Sequence, residues 1–135
     1  MSLARRTFGV ALVVALGACL DAVPTGPTSI HLAVQVHNVG SNDRAMLLEL
    51  AGNASSATIA GVVAPAGGAY HVFAQLRSST KWRAIVTGPI ADGVIVELVV
   101  PKTATASLYS GTILDVADGS FTEVAPGARA LMVTP

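Results

Sequence analysis

Hydrophobic and polar residues alternate along much of the chain, most regularly over residues 30–36. The even-numbered positions of this stretch are Ile, Leu and Val, while the odd-numbered positions are His31, Ala33 and Gln35. Successive side chains of a strand point to opposite faces of a sheet, so the pattern predicts a strand with one buried face. Polar residues at 40–43 form the turn that follows it.

The same signals predict seven to nine short strands separated by turns rich in Gly, Pro, Asn and Asp. After the first, the predicted strands are 45–50, 58–64, 70–76, 82–87, 94–100, 107–116, 121–124 and 128–133. Residues 45–50 could instead form a short helix capped by Asn42 or Asp43, but the flanking strand-like segments favour a strand. Pro101 cannot donate to a ladder and should end its strand, and we expect a bulge near Gly111.

These elements predict an all-β fold over residues 29–135. The connections are too short for crossover helices, so the strands should pair antiparallel. We expect a small antiparallel β-sandwich, loosely immunoglobulin-like, with a small β-barrel as the alternative. The chain has one Cys, so it cannot form the inter-sheet disulfide of true immunoglobulin domains.

The N-terminal segment has the three regions of an export signal. Arg5 and Arg6 provide a basic start without acidic residues, and residues 9–16 form an apolar run. Gly17 and Ala18 are small residues that come directly before Cys19. The apolar run is shorter than the roughly 20 residues that a membrane-spanning helix needs, so the segment reads as a signal peptide.

Leu16, Gly17, Ala18 and Cys19 together resemble the lipobox of bacterial lipoproteins. The resemblance implies a signal peptide over residues 1–18, cleavage before Cys19, and acylation of Cys19 by chains such as palmitate. Membrane lipid would then be a partner through the acylated cysteine, and residues 19–28, rich in Pro and Gly, would form a tether. An ordinary secretory signal that leaves Cys19 as a free thiol is the alternative.

The residues around this motif also bear on location. In lipoproteins, Asp directly after the cysteine favours the inner membrane, whereas this chain has Leu20. The resemblance therefore implies a lipid-anchored protein of the bacterial cell envelope, in the outer membrane rather than the inner. Arg5 and Arg6, followed by Thr7 and Phe8, are also similar to a twin-arginine export motif, which leaves the Sec and twin-arginine routes both open.

Composition narrows the function. The chain has 135 residues, 52% of them hydrophobic, with 8 basic and 8 acidic residues and a formal net charge of zero. This length excludes a multidomain enzyme, and this hydrophobicity excludes a disordered chain. Zero net charge excludes binding of nucleic acid through bulk positive charge.

Catalytic motifs are absent from the sequence. It has no G-x-S-x-G elbow, no H-E-x-x-H and no phosphate-binding loop. We therefore expect no catalytic residues, no cofactor, no metal and no enzymatic activity. The competing hypothesis is a small metal-binding or hydrolytic periplasmic protein, which would need His31, His71 and Asp43 to converge. Glu97 is the one acidic residue in an apolar strand, and its burial would indicate a functional role.

Trp82, Arg77 and Arg83 form a speculative ligand-binding site. An aromatic ring flanked by cationic side chains could bind a sugar ring or a peptide. The alternative is a core Trp82, because strand alternation places Lys81 and Arg83 on the opposite face. Together these features predict a membrane-anchored envelope lipoprotein whose β-sandwich is a non-catalytic binding or structural module, with an envelope protein or a glycan as partner.

Overall fold

Two antiparallel β-sheets pack face to face in the computed structural model, which describes residues 26–135. The strands within these residues are β1 (Ser29–His37), β2 (Asp43–Gly52), β3 (Gly61–Val63), β4 (His71–Ser78), β5 (Lys81–Thr87), β6 (Gly93–Pro101), β7 (Tyr109–Asp118), β8 (Glu123–Val124) and β9 (Ala130–Thr134). One turn of 3₁₀ helix, Ala106–Leu108, precedes β7. The four-stranded sheet has the order β3-β6-β1-β9, and the five-stranded sheet has the order β4-β5-β2-β7-β8. The fold is a β-sandwich, and the barrel alternative is wrong because no ladder joins the two sheets within residues 26–135.

The core lies between the two sheets and follows the predicted alternation. The inner face of β1 is buried at Leu32, Val34 and Val36, as the sequence indicates. Residues 45–50 belong to β2 and are not helical. Strand β6, beside β1 in the same sheet, and β2, in the facing sheet, contribute the large buried side chains Ile95, Leu98, Val100, Met46, Leu48 and Leu50. Burial of this much apolar surface is the main favourable term in the stability of the sandwich.

Three sequence predictions need correction. Of 58–64, only Gly61–Val63 forms a strand, because Ile59 connects the sheets: its N–H donates to the Ser79 carbonyl at 2.9 Å. The bulge in β7 falls at Leu114, where the register with β2 shifts, and Gly111 pairs regularly. A Cβ at Gly111 would lie 2.8 Å from the Leu131 Cδ1, so this glycine marks close packing.

Residues 121–124 are the third correction. Only Glu123–Val124 is a strand, whereas Phe121 lies in the preceding turn with a φ of 60°. Asp118 holds this turn, because its Oδ1 accepts hydrogen bonds from the backbone N–H groups of Ser120 at 2.8 Å and Thr122 at 3.1 Å. The local hydrogen bonds of an Asp side chain therefore outweigh the strand preference of the aromatic residue.

A buried ion pair links the sheets at one corner, which we call the Asp43–Arg129 corner. Asp43 begins β2 and is 2% exposed, and Arg129 comes directly before β9. Arg129 donates from Nε to Oδ2 of Asp43 at 2.6 Å and from Nη2 to Oδ1 at 2.8 Å. The Gly40 N–H donates to the same Oδ2 at 2.9 Å. The hydrogen bonds from Arg129 hold the pKa of Asp43 below its ordinary value, against the opposing effect of burial.

The predicted signal peptide and lipidation site lie outside the described residues. The lipobox residues Leu16, Gly17, Ala18 and Cys19 lie outside them, as does most of the tether. Within residues 26–135, the structure contains no helix with the length and apolar character needed to cross a bilayer. Strand β1 begins at Ser29, where the tether was predicted to end.

Candidate functional site

The three residues that a metal or hydrolytic site would require, His31, His71 and Asp43, do not converge in the fold. His31 is on the outer face of the four-stranded sheet, where its Nδ1 lies 2.7 Å from Oε2 of a half-buried Glu97. His71 begins β4 in the other sheet, and Asp43 is bound to Arg129. Among residues 26–135, no group of three or more His, Cys, Asp or Glu is placed to hold a metal ion. The arrangement that the competing hypothesis requires does not form here.

The residues of the predicted Trp82 site do not form one platform either. Trp82 points toward the core, and its Nε1 donates to the Ile59 carbonyl at 2.9 Å. Arg83 lies on the opposite face of β5, as alternation requires. Arg77 is exposed on β4, at a shift in the register between Leu76 and Ser78. The structure thus packs a partly buried Trp82 against the core and does not bring it together with the two arginines in a common site.

The outer face of the five-stranded sheet carries a row of apolar side chains, which we call the outer strip. Its members are Phe73 on β4, Ile85 on β5 and Leu47 on β2, and the strand register sets each beside the next. Phe73 is 64% exposed and Ile85 is 45% exposed, although both occupy positions where alternation predicts polar residues. A depression of about 340 Å³ opens beside Phe73 and Ile85.

Phe121 extends the outer strip at the turn between β7 and β8. It is 94% exposed and lines a second depression of about 270 Å³ with Leu47 and Ile85. A φ of 60° is uncommon for a residue with a side chain and is unfavourable relative to the extended conformation. An aromatic ring that is both exposed and held in this conformation contributes little to the stability of the isolated domain, so a role in recognition accounts for it better.

Charged side chains border the outer strip toward the β4–β5 turn. Glu49 lies between Lys81 and Arg83, with a carboxylate oxygen 3.6 Å from the nearest side-chain nitrogen of each. All three side chains are partly exposed, so the pairs contribute little to stability. An apolar centre with a polar rim is the usual composition of a protein-binding surface.

Strand β4 leaves a further apolar opening on the inner side of the sheet. Leu76 points toward the other sheet but is 57% exposed, because β3, the strand opposite, has only three residues. Leu76 and Trp82 line a cleft of about 420 Å³ that Ile59 and Pro101 close on the other side. Both faces of β4 are therefore accessible along much of its length.

Comparisons with known proteins identify the fold. No protein-family model matches the chain, and no curated protein matches it. Among solved structures, the chain is similar to the sixth cohesin of scaffoldin B from Acetivibrio cellulolyticus, whose structure contains a mutant Cel5 dockerin. The TM-score is 0.52 at 14% identity, and the match covers 73% of this chain and 82% of the cohesin. This likeness supports the β-sandwich architecture.

Proposed function

We propose that this protein is a lipid-anchored envelope lipoprotein whose β-sandwich binds another protein through the outer strip. The observation that carries the proposal is the row Leu47, Ile85 and Phe73 on a sheet face where a monomeric sandwich would place polar residues. Phe121 adds a fully exposed aromatic ring at one end of the row. Exposed apolar patches with a polar rim mark interaction sites on soluble domains, and aromatic residues contribute most of the binding energy at such sites.

The structural neighbour supports the same class of function. The cohesin was solved in complex with a dockerin, so a sandwich of this architecture can serve as a protein-binding module. Only this class of function carries over from the neighbour, and we propose an envelope protein as the partner of the present chain. We assign the chain no catalytic role, because its candidate chemical groups lie apart on separate strands.

The anchor is the second part of the proposal and depends on residues 1–28. Residues 16–19 resemble a lipobox and end at the single cysteine of the chain. This resemblance supports acylation of Cys19 and location in the outer membrane. Several acyl chains give stable attachment, whereas one chain binds a bilayer only marginally. The short tether would present the sandwich close to the lipid surface.

Site-specific photo-cross-linking tests the binding surface. Benzoylphenylalanine replaces Ile85 in the outer strip and, as a matched control, Met132, which is 53% exposed on β9 of the other sheet. After irradiation of intact cells, we expect one discrete cross-linked protein from position 85 and none from position 132. Equal cross-linking at both positions, or none at position 85, would overturn the proposal.

The anchor has its own test. The intact mass of the protein extracted from membranes should correspond to a chain that starts at Cys19 and carries acyl groups. The Cys19→Ser variant should leave the membrane fraction, because it removes the sulfur that would be acylated. A variant that stays in the membrane fraction would refute acylation as the anchor.

A further inference from the structure

Strand β4 is a long edge strand, and its first six residues lack the features that usually protect one. Arg77 and the register shift beside it come after these residues. The strand has eight residues and pairs only with β5 among the residues that the structure describes. An edge strand presents unpaired N–H and C=O groups that can pair with another chain. Proline, inward-pointing charges and very short length are the usual protections, and residues 71–76 have none of them.

The other sheet edges of the sandwich are short or packed against a neighbouring strand. Strand β8 has two residues and β3 has three, so neither offers a useful length for pairing. Strand β8 pairs with only Val116 and Ala117 of β7, but β7 also packs against β9, with Gly111 beside Leu131. Strand β9 has five residues and is fixed at its start by the Asp43–Arg129 corner. Strand β4 is therefore the edge with both the length and the accessibility to accept an additional strand.

Side chains of an added strand would find apolar contacts on both faces of the sheet. On the outer face, they would meet Phe73 and the depression beside Ile85. On the inner face, they would meet Leu76 and the cleft beside Trp82. Because side chains alternate along a strand, a segment that pairs with β4 would place successive residues in these two openings.

The charge around the edge indicates the chemistry of the added segment. Arg77, Lys81 and Arg83 lie on β4 and β5, and neither strand contains an acidic residue. Glu49 is shared between Lys81 and Arg83. Within the described part of the chain, Arg77 makes only a long 3.5 Å hydrogen bond with Gln75. A second copy of β4 would bring more positive charge to this edge, whereas an acidic segment would neutralise it.

We propose that β4 accepts an extended segment of a partner protein, with apolar and acidic residues in its sequence, as a sixth strand of the five-stranded sheet. The inference rests on the proposed function, and it specifies how the partner binds. Main-chain hydrogen bonds would provide affinity, and the two openings would select apolar side chains. Arg77 would attract the acidic residues of the segment.

Synthetic peptides as long as β4 test this proposal on the purified protein. One peptide has a central run of Val, which supplies apolar side chains to both faces, flanked by Asp and Glu. A second peptide replaces the acids with Lys. A third is the acidic peptide N-methylated at alternate amides on one edge, and a fourth is methylated on the other edge. We expect the acidic peptide to bind with a Kd below about 1 mM. One of the two N-methylated peptides should bind at least about tenfold more weakly, because it cannot donate to β4.

Charge-reversal variants complete the test. Arg77→Glu should weaken binding of the acidic peptide about fivefold and favour the Lys peptide. Arg44→Glu is the matched control, because Arg44 is also exposed but lies near the start of β2, which β5 separates from β4. This variant should change binding of the acidic peptide less than twofold. Equal binding of both N-methylated peptides, no binding of the acidic peptide, or equal effects of the two variants would overturn strand addition.

The outcomes separate this inference from the proposed function. If position 85 still cross-links one envelope protein while the peptides fail, a protein binds the outer strip without adding a strand. If the protein dimerises in sedimentation experiments and Ala74→Pro abolishes the dimer, a second copy occupies β4 and the acidic-segment proposal is wrong. Failure at position 85 contradicts the proposed function itself.

Discussion

The Asp43–Arg129 corner and the β4 edge lie in different parts of the same sandwich and differ in which side chains they bury and which they expose. At the corner, charges are buried and both carboxylate oxygens accept hydrogen bonds. At the β4 edge, apolar side chains are exposed and the outer backbone edge has no strand partner among the described residues. The first arrangement stabilises the fold and leaves no group free for a ligand. The second contributes little to the fold and leaves groups free for binding.

This difference predicts that stability and binding respond to different substitutions. Changes at the corner should lower the free energy of unfolding, whereas changes at the β4 edge should weaken binding and leave that free energy nearly constant.

The largest effect on stability is expected for Arg129→Met. The substitution leaves the Asp43 carboxylate buried without its cation and should lower the free energy of unfolding by about 3–5 kcal/mol. Chemical denaturation measures the change. Arg44→Met, which removes a neighbouring exposed arginine, is the control and should cost about 0.5 kcal/mol or less. Equal costs for both variants would show that the buried pair does not stabilise the corner.

The contribution of the corner should also depend on pH. The Arg129 side chain lowers the pKa of Asp43 in the folded protein, so the corner contributes fully above the ordinary aspartate pKa of about 3.9. That contribution is lost as the pH falls through the lowered pKa. The difference in stability between the parent protein and Arg129→Met should therefore shrink as the pH is lowered below about 4. A difference that is constant down to pH 2, roughly two units below that value, would contradict this assignment.

Trp82→Phe tests the boundary between core and edge. It removes the hydrogen bond from Nε1 to the Ile59 carbonyl but retains an aromatic ring. We expect a loss of about 1–2 kcal/mol in the free energy of unfolding, because the half-buried carbonyl loses its donor. Trp82 would act mainly as a binding platform if Trp82→Phe abolished peptide binding at unchanged stability.

How far the sequence predicts this molecule depends on the range of the interactions. Alternation in β1 depends on neighbouring residues and correctly identifies a strand and its buried face, whereas β2 was favoured as a strand only because its flanking segments are strand-like. The Asp43–Arg129 pair joins positions 86 residues apart, and no local pattern indicates it.

The outer strip falls between these cases. Alternation assigns Leu47, Phe73 and Ile85 to outward positions, so their apolar character could have been noticed in the sequence. Their proximity depends on the β4-β5-β2 order and its register, which the sequence does not specify. Phe121 was predicted as a strand residue because its turn is formed by the Asp118 side chain.

Phe121→Gly should give a gain in stability. Glycine adopts a positive φ without the steric cost that a side chain incurs, so the free energy of unfolding should rise by up to about 1 kcal/mol. The same variant should reduce the cross-linking yield at position 85, because it removes an aromatic ring from the outer strip. Lower stability together with full cross-linking would mean that Phe121 serves the fold.

The smallest effect on stability is expected at the β4 edge. Phe73→Ser and Leu76→Ser remove exposed side chains and should each change the free energy of unfolding by less than about 0.5 kcal/mol. Both should weaken binding of the acidic peptide, since they remove the apolar contacts on the two faces of the strand. A large loss of stability in either variant would place that residue in the core.

Hydrogen exchange, read residue by residue with and without the acidic peptide, tests the contrast between the two regions most directly. The account predicts that alternate amides of β4 exchange rapidly in the free protein and slowly once the peptide is bound. Amides of β2 next to Asp43 should be protected in both states. Protection of every β4 amide in the free protein, or a peptide-induced change confined to the Asp43–Arg129 corner, would contradict the account.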